Sequence, residues 1–325
     1  MLVTTERPGS VAPPVGATAG PPSLTTTVPR EYVHRAALSE VFLTGWRRTG
    51  GQSFTVTAQW PRSHSFFTAV EGLHDPLMLC ETIRQTFPLL LHAAYGTPFG
   101  HQLSWSRFGY SLDPQALRVG RTPAELELRV VSEVLNERRG IPTDLSLSYA
   151  VLRDGDLVAA ADTRFGCIAP AVYRRVRGER ADVPRVFAAA PAPAAPLAPA
   201  MAGRDHARDV VLGPQDGPGR WQLRVDTGHP VLFDHPVDHV PGMLLMEAAR
   251  QAAHAVDLPA EAALPTSMNV TFHRYVEFDA PCWIEARRQA STTSAPGTLR
   301  VDAVQDGVVA FTSEVTLAAA ATPAA

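Results

Sequence analysis

The chain has 325 residues, 45% of them hydrophobic, and a formal net charge of −3. It is long enough for two domains and has no excess of positive charge for binding nucleic acid. All 29 basic residues are arginines, which excludes Schiff-base and pyridoxal-phosphate chemistry on a lysine and leaves Arg to bind phosphate or carboxylate. Three scattered cysteines (Cys80, Cys167 and Cys282), and the lack of a signal-peptide pattern or a long apolar run, predict a cytoplasmic protein without a membrane span.

Three low-complexity segments divide the chain. Their composition predicts a disordered tail over residues 1–28, an extended Ala/Pro-rich linker over residues 179–204 and a second tail over residues 319–325. Two bodies remain, over 29–178 and 205–318, and we interpret each as one domain.

The two bodies repeat one order of elements. Each opens with an alternating strand, SFTVTAQW (53–60) or WQLRVDTG (221–228), and a histidine follows, His64 or His229. A largely apolar helix comes next in each body, and several further strands follow it.

The first helix has clear boundaries within DPLMLCETIRQTFPLLLHAAYG (75–96). Asp75 is a suitable cap, Pro76 suits the first helical position, and Gly96 suits the end. Pro88 lies inside the helix and predicts a kink.

Each body closes with a hairpin whose turn is Asp154-Gly155 or Asp306-Gly307, a dipeptide typical of tight hairpins. A helix that is apolar on most faces must be covered on most faces, and a curved antiparallel sheet wrapped around it does so. The predicted fold class is therefore α+β: two tandem hotdog folds that form a pseudo-dimeric double hotdog.

Both helices carry the same polar set: an acid, an arginine three residues later, and a glutamine next to that arginine. The matching residues are Glu81, Arg84 and Gln85 in the first body and Glu247, Arg250 and Gln251 in the second. An i,i+3 pair on a solvated face is the simpler interpretation, but recurrence on two apolar helices favours burial, where charge is costly unless paired or used. We therefore predict a cleft with a carboxylate base and a guanidinium, at which helix N-terminal N–H groups polarise a thioester carbonyl. Burial is expected to raise the pKa of the Glu81 carboxyl toward a value useful to a general base.

The histidines near these helices are further candidates. His64 and His229 occupy matching places and suit proton transfer or substrate contact, while His74 and His239 stand next to the helix starts, with His235 nearby. A local hydrogen bond in a loop is an equally open role for each of them. No set has metal-ligand spacing, so no metal site is predicted. No Gly-rich phosphate loop, GxSxG elbow or Cys-His nucleophile pattern is present.

Four segments carry a family resemblance: VHRAALSEVFLTGWRRTGGQSFTVTAQWPRSHSFF, GLHDPLMLCETIRQ, HAAYGTPFGHQL and HPVLFDHPVDHVPGMLLMEAARQAA. They resemble the A-factor synthase (AfsA-like) family, the γ-butyrolactone autoregulator synthases of antibiotic-producing bacteria. The likeness covers about 33–175 and 208–315.

The second body also resembles the β-hydroxyacyl-ACP dehydratases of the hotdog fold. The matching residues are His229 or His235, Pro241-Gly242, Glu247-Ala248 and Gln251. The histidine spacing departs from the dehydratase pattern, and the first body has Asp75-Pro76 in place of Pro-Gly, and both departures argue against dehydration itself.

The synthase resemblance implies a reaction in two steps. A β-ketoacyl group passes from an acyl carrier protein thioester to the primary hydroxyl of dihydroxyacetone phosphate. The ester then cyclises by an intramolecular aldol condensation to a butenolide phosphate. No redox cofactor or metal is implied, and the protein is expected to be a monomeric double hotdog or a homodimer.

The resemblance favours Glu81 and Arg250 as essential residues, with Glu81 as general base and Arg250 bound to the phosphate or the developing oxyanion. Glu247 and Arg84 are their pseudo-symmetric partners. By analogy with hotdog dimers, His229 faces Glu81 and His64 faces Glu247. The expected substrate contacts are Gln85, Gln251, Gly242, His74 and His239.

Two other functions remain open at this point. A hotdog thioesterase or dehydratase acting on acyl-ACP or acyl-CoA needs no dihydroxyacetone phosphate. A non-catalytic acyl-binding regulatory protein tolerates loss of Glu81 and Arg250, although the intact pair in both bodies argues against it.

Overall fold

The computed structural model describes residues 25–257, 263–289 and 297–319. The predicted N-terminal tail lies outside the described residues up to residue 24, and the predicted C-terminal tail lies outside them from residue 320.

Within the described ranges, twelve strands form one antiparallel sheet in the order β1-β2-β4-β5-β6-β3-β9-β12-β11-β10-β8-β7. The first half contains β1 Leu43–Gly50, β2 Ser53–Trp60, β3 Gln102–Leu112, β4 Ala124–Arg138, β5 Ile141–Arg153 and β6 Asp156–Ile168. The second half contains β7 Leu212–Gln215, β8 Arg220–Leu223, β9 Ala263–Phe272, β10 Cys282–Arg288, β11 Thr298–Gln305 and β12 Val308–Ala319. Counted outward from the centre of the sheet, the strands of the two halves come in the same order, with β3 equivalent to β9 and β1 equivalent to β7. The halves are therefore related by a pseudo-twofold axis between β3 and β9, where Arg107 to Ser111 pair with Thr271 to Ser267.

A long helix fills the concave side of each half. Helix α1 is Pro76–Leu89, and every side chain in it except Arg84 is buried. Helix α4 is Gly242–Asp257, and its described side chains from Met243 to Ala253 are buried. The sheet covers these helices because they are apolar on nearly all faces, and the predicted double hotdog is confirmed.

The predicted start of α1 is confirmed, whereas the α-helix ends at Leu89, before the predicted end at Gly96. The Asp75 carboxylate accepts a hydrogen bond of 2.8 Å from Leu77 N–H. Gly96 has φ +66° and lies beyond the π-helical turn that follows α1. The α-helix continues through Pro88, which has no N–H to donate. One turn of π-helix, Leu90–Ala94, follows.

The two Asp-Gly turns are confirmed as well. Asp154 and Gly155 have φ 54° and 91°, and the second turn has 53° and 71°, so both central residues of each turn lie at positive φ, as tight hairpins require. The strand predicted over 221–228 is shorter than expected, because β8 ends at Leu223 and the chain turns where His229 N–H donates to Asp226.

The chain between the halves is packed on the body of the molecule. It contains α2 Pro170–Arg177, α3 Val183–Ala188 and a 3-10 turn Pro199–Ala202. Arg204, at the end of the predicted linker, is 6% exposed. The proposed domain boundaries stay a prediction. All three cysteines are buried free thiols, and no helix in the described ranges is long and apolar enough to cross a membrane.

Candidate active site

The Glu81 carboxylate is the centre of a buried polar network on α1. Its oxygens accept hydrogen bonds from Arg84 Nε at 2.8 Å, Arg35 Nε at 3.0 Å and Gln85 Nε2 at 2.8 Å. The Glu81 side chain is only 1% exposed, so the interpretation of the pair as a solvated surface contact is wrong.

Glu247 on α4 has the same surroundings. It accepts from Arg250 Nε at 2.9 Å, Arg204 Nε at 2.8 Å and Gln251 Nε2 at 2.5 Å. The repeat seen in the sequence is therefore a repeat of one hydrogen-bond network, with two guanidinium groups and one amide on each carboxylate. Charge-assisted bonds of this kind offset the cost of burying the charges.

The expectation of a raised pKa for Glu81 is wrong. Burial alone acts in that direction, but the positive charges of Arg35 and Arg84 outweigh it and lower the pKa of Glu81 to about 2. Burial also acts to raise the pKa of Glu247, but the positive charges of Arg204 and Arg250 outweigh it and lower that pKa to about 2. Both groups are ionised at neutral pH and are weak bases.

His64 and His229 occupy matching positions, as predicted, and their contacts also match. In each, Nδ1 accepts from the backbone N–H groups two and three residues further on. His64 Nε2 lies 3.4 Å from a carboxylate oxygen of Glu40, and His229 Nε2 lies 3.2 Å from one of Asp209.

These contacts connect each histidine with the network of its own half. The Glu40 carbonyl accepts from Gln85, a partner of Glu81, and the Asp209 carbonyl accepts from Gln251, a partner of Glu247. The analogy with hotdog dimers predicted the crossed arrangement instead.

A cavity of about 490 Å³ lies beside the Glu81 network and the start of α4. Its lining combines an apolar wall with several cationic or titratable groups. The main apolar residues are Phe87, Leu103, Trp105, Phe165, Val237, Leu245 and Phe272. The polar residues include Glu81, Arg84, Arg35, His34, His235, His239, His273 and Arg274.

The cavity separates the predicted site residues into two groups. Glu81, Arg84, His239 and Gly242 line it. The residues that do not line it are Glu247, Arg250, Gln85, Gln251, His64, His229 and His74.

Arg250 and His74 are enclosed elsewhere. Arg250 also donates to the Ala202 carbonyl at 3.3 Å. The His74 ring lies 5.3 Å from the ring of Trp60, and burial, with the positive charge of Arg153, lowers the pKa of His74 to about 4.

A difference at the helix starts explains why the cavity lies beside Glu81. At the start of α1, Asp75 caps the helix and lies 3.3 Å from Nη1 of Arg204. The Cζ atom of Arg204 also lies 4.6 Å from the centre of the Phe66 ring. This carboxylate and guanidinium fill the space beside Glu247. The corresponding start of α4 is Pro241-Gly242, which has no carboxylate, and both residues line the cavity.

Gly242 allows the aromatic rings of the cavity wall to pack closely against the start of α4. A Cβ atom there would lie 3.1 Å from Trp105 Cε3 and 3.2 Å from Phe272 Cε1. A larger residue would push aside the two stacked rings, whose centres are 5.0 Å apart.

Several site residues escaped the sequence analysis. Arg35 and Arg204 bind the two carboxylates from outside their helices, while His34 and Arg274 line the cavity. The available signal was a repeat of Arg, four residues and an acid, in Arg35 to Glu40 and again in Arg204 to Asp209. The second copy begins at the end of the predicted linker, outside the repeated strand and helix pattern.

Comparison with known proteins identifies the family. The model of the A-factor biosynthesis hotdog domain (AfsA) matches residues 16–169 and 188–321. The chain belongs to the A-factor biosynthesis hotdog family. A relative from Streptomyces virginiae, named 2-oxo-3-(phosphooxy)propyl 3-oxoalkanoate synthase, is 48% identical over 89% of this chain and 96% of its own length. A relative of the same name from Streptomyces griseus is 43% identical over 87% of this chain and 93% of its own.

Solved structures agree with this AfsA family fold. A provisionally assigned oleoyl thioesterase from Lactobacillus plantarum superposes with a TM-score of 0.53 at 10% identity, over 83% of this chain and 98% of its own. A pyran synthase domain from the sorangicin pathway gives 0.50 at 13% identity, over 86% and 98%. At these identities the likeness shows the hotdog fold alone.

Proposed function

We propose that this AfsA-family protein is an acyltransferase that makes 2-oxo-3-(phosphooxy)propyl 3-oxoalkanoate. It transfers a 3-oxoacyl group from an acyl carrier protein thioester to the hydroxyl of dihydroxyacetone phosphate. The observation that carries the proposal is 48% identity, over 89% of the chain, to a synthase of that name. The cavity beside Glu81 supports it, because one space offers an apolar wall and a set of cations.

The apolar wall suits the acyl chain. Phe87 and Phe165 stack with ring centres 4.7 Å apart, and Trp105 lies 5.3 Å from Phe87 and 5.0 Å from Phe272. Such a wall binds the alkyl part of the thioester and excludes water from it. The start of α4 places helix N–H groups beside this wall, where they polarise the thioester carbonyl.

The cationic lining suits the phosphate. Arg84 has a side chain that is 21% exposed, and the Arg274 side chain is 39% exposed and lies 4.0 Å from Asp306. We assign phosphate binding to these two arginines, with His235 and His239 nearby in the lining. Glu81 holds Arg84 and Arg35 in position as an ionised carboxylate.

The transfer forms one ester bond and breaks one thioester bond. The hydroxyl oxygen bonds to the thioester carbon, the C–S bond breaks, and the hydroxyl proton ends on the departing thiol. The methylene between the two carbonyls of the new ester next attacks the ketone of the glycerone unit. Loss of water gives the butenolide phosphate.

The test is incubation of the purified protein with a 3-oxoacyl carrier protein, with and without dihydroxyacetone phosphate, followed by mass spectrometry. We expect a phosphorylated ester or butenolide only when both substrates are present. Free 3-oxo acid or an enoyl thioester, formed equally without dihydroxyacetone phosphate, would contradict the proposal and assign the protein as a thioesterase or dehydratase. Ligand binding without turnover would assign it as an acyl-binding protein.

A further inference from the structure

We propose that His34 and His92 form a two-imidazole relay in which His34 takes the proton of the attacking hydroxyl. The inference rests on the proposed function and assigns the general base of the transfer to a histidine in the cavity lining.

The hydrogen bonds of the pair determine its protonation. His92 Nδ1 lies 2.7 Å from the Thr97 carbonyl, and a carbonyl only accepts, so this nitrogen carries a proton. In the neutral ring, His92 Nε2 is therefore an acceptor. His34 Nε2 lies 2.9 Å from it and must donate. His34 Nδ1 is then left without a proton, on the ring that lines the cavity.

Pseudo-symmetry shows that this histidine is an addition to the common network. The segment before Arg35 repeats the segment before Arg204: Val28 N–H donates to Leu43 as Leu197 N–H donates to Leu212, and a 3-10 turn follows in both. His34 therefore corresponds to Gly203. Both have left-handed backbone, with φ 53° and ψ 54° for His34 and φ 61° and ψ 41° for Gly203.

The left-handed conformation is unfavourable for a residue with a Cβ and suits glycine. The half with the enclosed network has the glycine, and the half with the cavity has a strained histidine. Strain of this kind recurs at functional sites. A Cβ at Gly203 would meet the His254 ring at 3.1 Å, so a side chain there would have to displace this ring.

The helix that supplies His92 is adapted to the pair. His92 lies in the π-helical turn after Pro88, a feature often found at functional sites, and it is 8% exposed. Phe99 stands 4.5 Å from the His92 ring and Tyr32 stands 6.3 Å from it, which fixes its orientation. Burial, together with the positive charge of Arg84, lowers the pKa of His34 to about 3, so the ring is neutral before substrate binds.

The chemical step follows from this arrangement. As the hydroxyl oxygen bonds to the thioester carbon, its proton moves to His34 Nδ1, and the charge on the new imidazolium is stabilised by His92 through the Nε2–H bond. The dianionic phosphate bound by the neighbouring arginines also favours that charge, and so raises the pKa of His34 in the substrate complex above its low value in the free protein. When the C–S bond breaks, His34 returns the proton to the thiolate.

The first test measures transfer in His34→Asn, since Asn tolerates left-handed backbone but is not a base. We expect kcat to fall by about 10²–10⁴-fold with KM for the thioester little changed. His34→Gly, which copies Gly203, should fold and regain rate when free imidazole is added. His206→Asn, at an exposed histidine, is the matched control and should keep the wild-type rate. A fall in kcat of less than about tenfold in His34→Asn would overturn the relay.

The second test separates positioning by His92 from simple structural support. Nitrogen-15 NMR of the wild-type protein should show His34 protonated on Nε2 and unprotonated on Nδ1, whereas His92→Phe should mix the two tautomers and lower kcat with KM unchanged. The opposite tautomer in the wild type would also overturn the relay. Wild-type protein that forms no ester would instead contradict the proposed function, so the two failures are distinguishable.

Discussion

Arg84 and Arg250 have matching positions in the sequence and different surroundings in the structure. Each lies three residues after a buried glutamate and binds it in the same geometry. Arg84 faces the cavity, whereas Arg250 also donates to the Ala202 carbonyl and does not line the cavity. The residues themselves do not decide which arginine meets the substrate, because the deciding contacts come from distant segments.

This difference yields a matched pair of variants. Arg84→Gln should lower kcat/KM for dihydroxyacetone phosphate by about 10²–10³-fold, because a cation that faces the phosphate is lost. Arg250→Gln should leave kcat/KM per folded molecule little changed and lower the free energy of unfolding by about 3–5 kcal/mol, because it removes one partner of a buried ion pair. Steady-state kinetics and urea unfolding of both variants test this. A selective kinetic defect in Arg250→Gln would contradict it and support the role expected from the family resemblance.

At the level of elements, α2 connects the cavity wall with the surface. Tyr173 in α2 donates to the Asp238 carboxylate at 2.7 Å, and Asp238 accepts from His239 in the cavity lining. Arg174 and Arg175 in the same helix are exposed. A basic helix beside the cavity suits the docking of an acidic carrier protein.

We therefore expect the double variant Arg174→Glu and Arg175→Glu to raise KM for the acyl carrier protein substrate by about tenfold or more, since charge reversal slows association. KM for a small 3-oxoacyl thioester without the protein should stay the same. The control is Arg121→Glu with Arg138→Glu, two exposed arginines outside the cavity lining, which should change neither KM. Equal effects of both double variants would contradict docking at α2.

At the level of the whole molecule, the two polar networks join the halves. Arg204 Nη1 donates to the Phe66 carbonyl at 2.8 Å, and Arg35 Nη1 lies 3.5 Å from the Val231 carbonyl. Together with the β3–β9 pairing, these contacts tie each half to the other, so the halves should unfold as one unit.

The low pKa values of Glu81 and Glu247 predict an acid limit for that unit. A carboxyl whose pKa is lower in the folded than in the unfolded protein stabilises the fold above its unfolded pKa and loses that contribution as the pH falls. Stability should therefore drop from about pH 4.5 toward pH 2, the interval between the ordinary and the lowered pKa.

The measurement is the unfolding free energy by circular dichroism across this range. Glu247→Gln should flatten the pH dependence at the cost of lower stability at neutral pH. Two separate acid transitions, one for each half, would contradict the single unit.

The sequence by itself determined the double hotdog, the helix starts, the hairpin turns and the repeated Glu-Arg-Gln set. These features depend on local patterns: the regular recurrence of apolar residues, a cap such as Asp75, an Asp-Gly turn, and a spacing of three residues on one helix face. Only the tertiary structure decided which copy opens to a cavity and what the copies are paired with. Arg35, Arg204 and His34 reach their partners from outside the helices. The pKa of Glu81 is lowered, not raised, because two guanidinium groups contact it, and one of them comes from a segment 46 residues away in the chain.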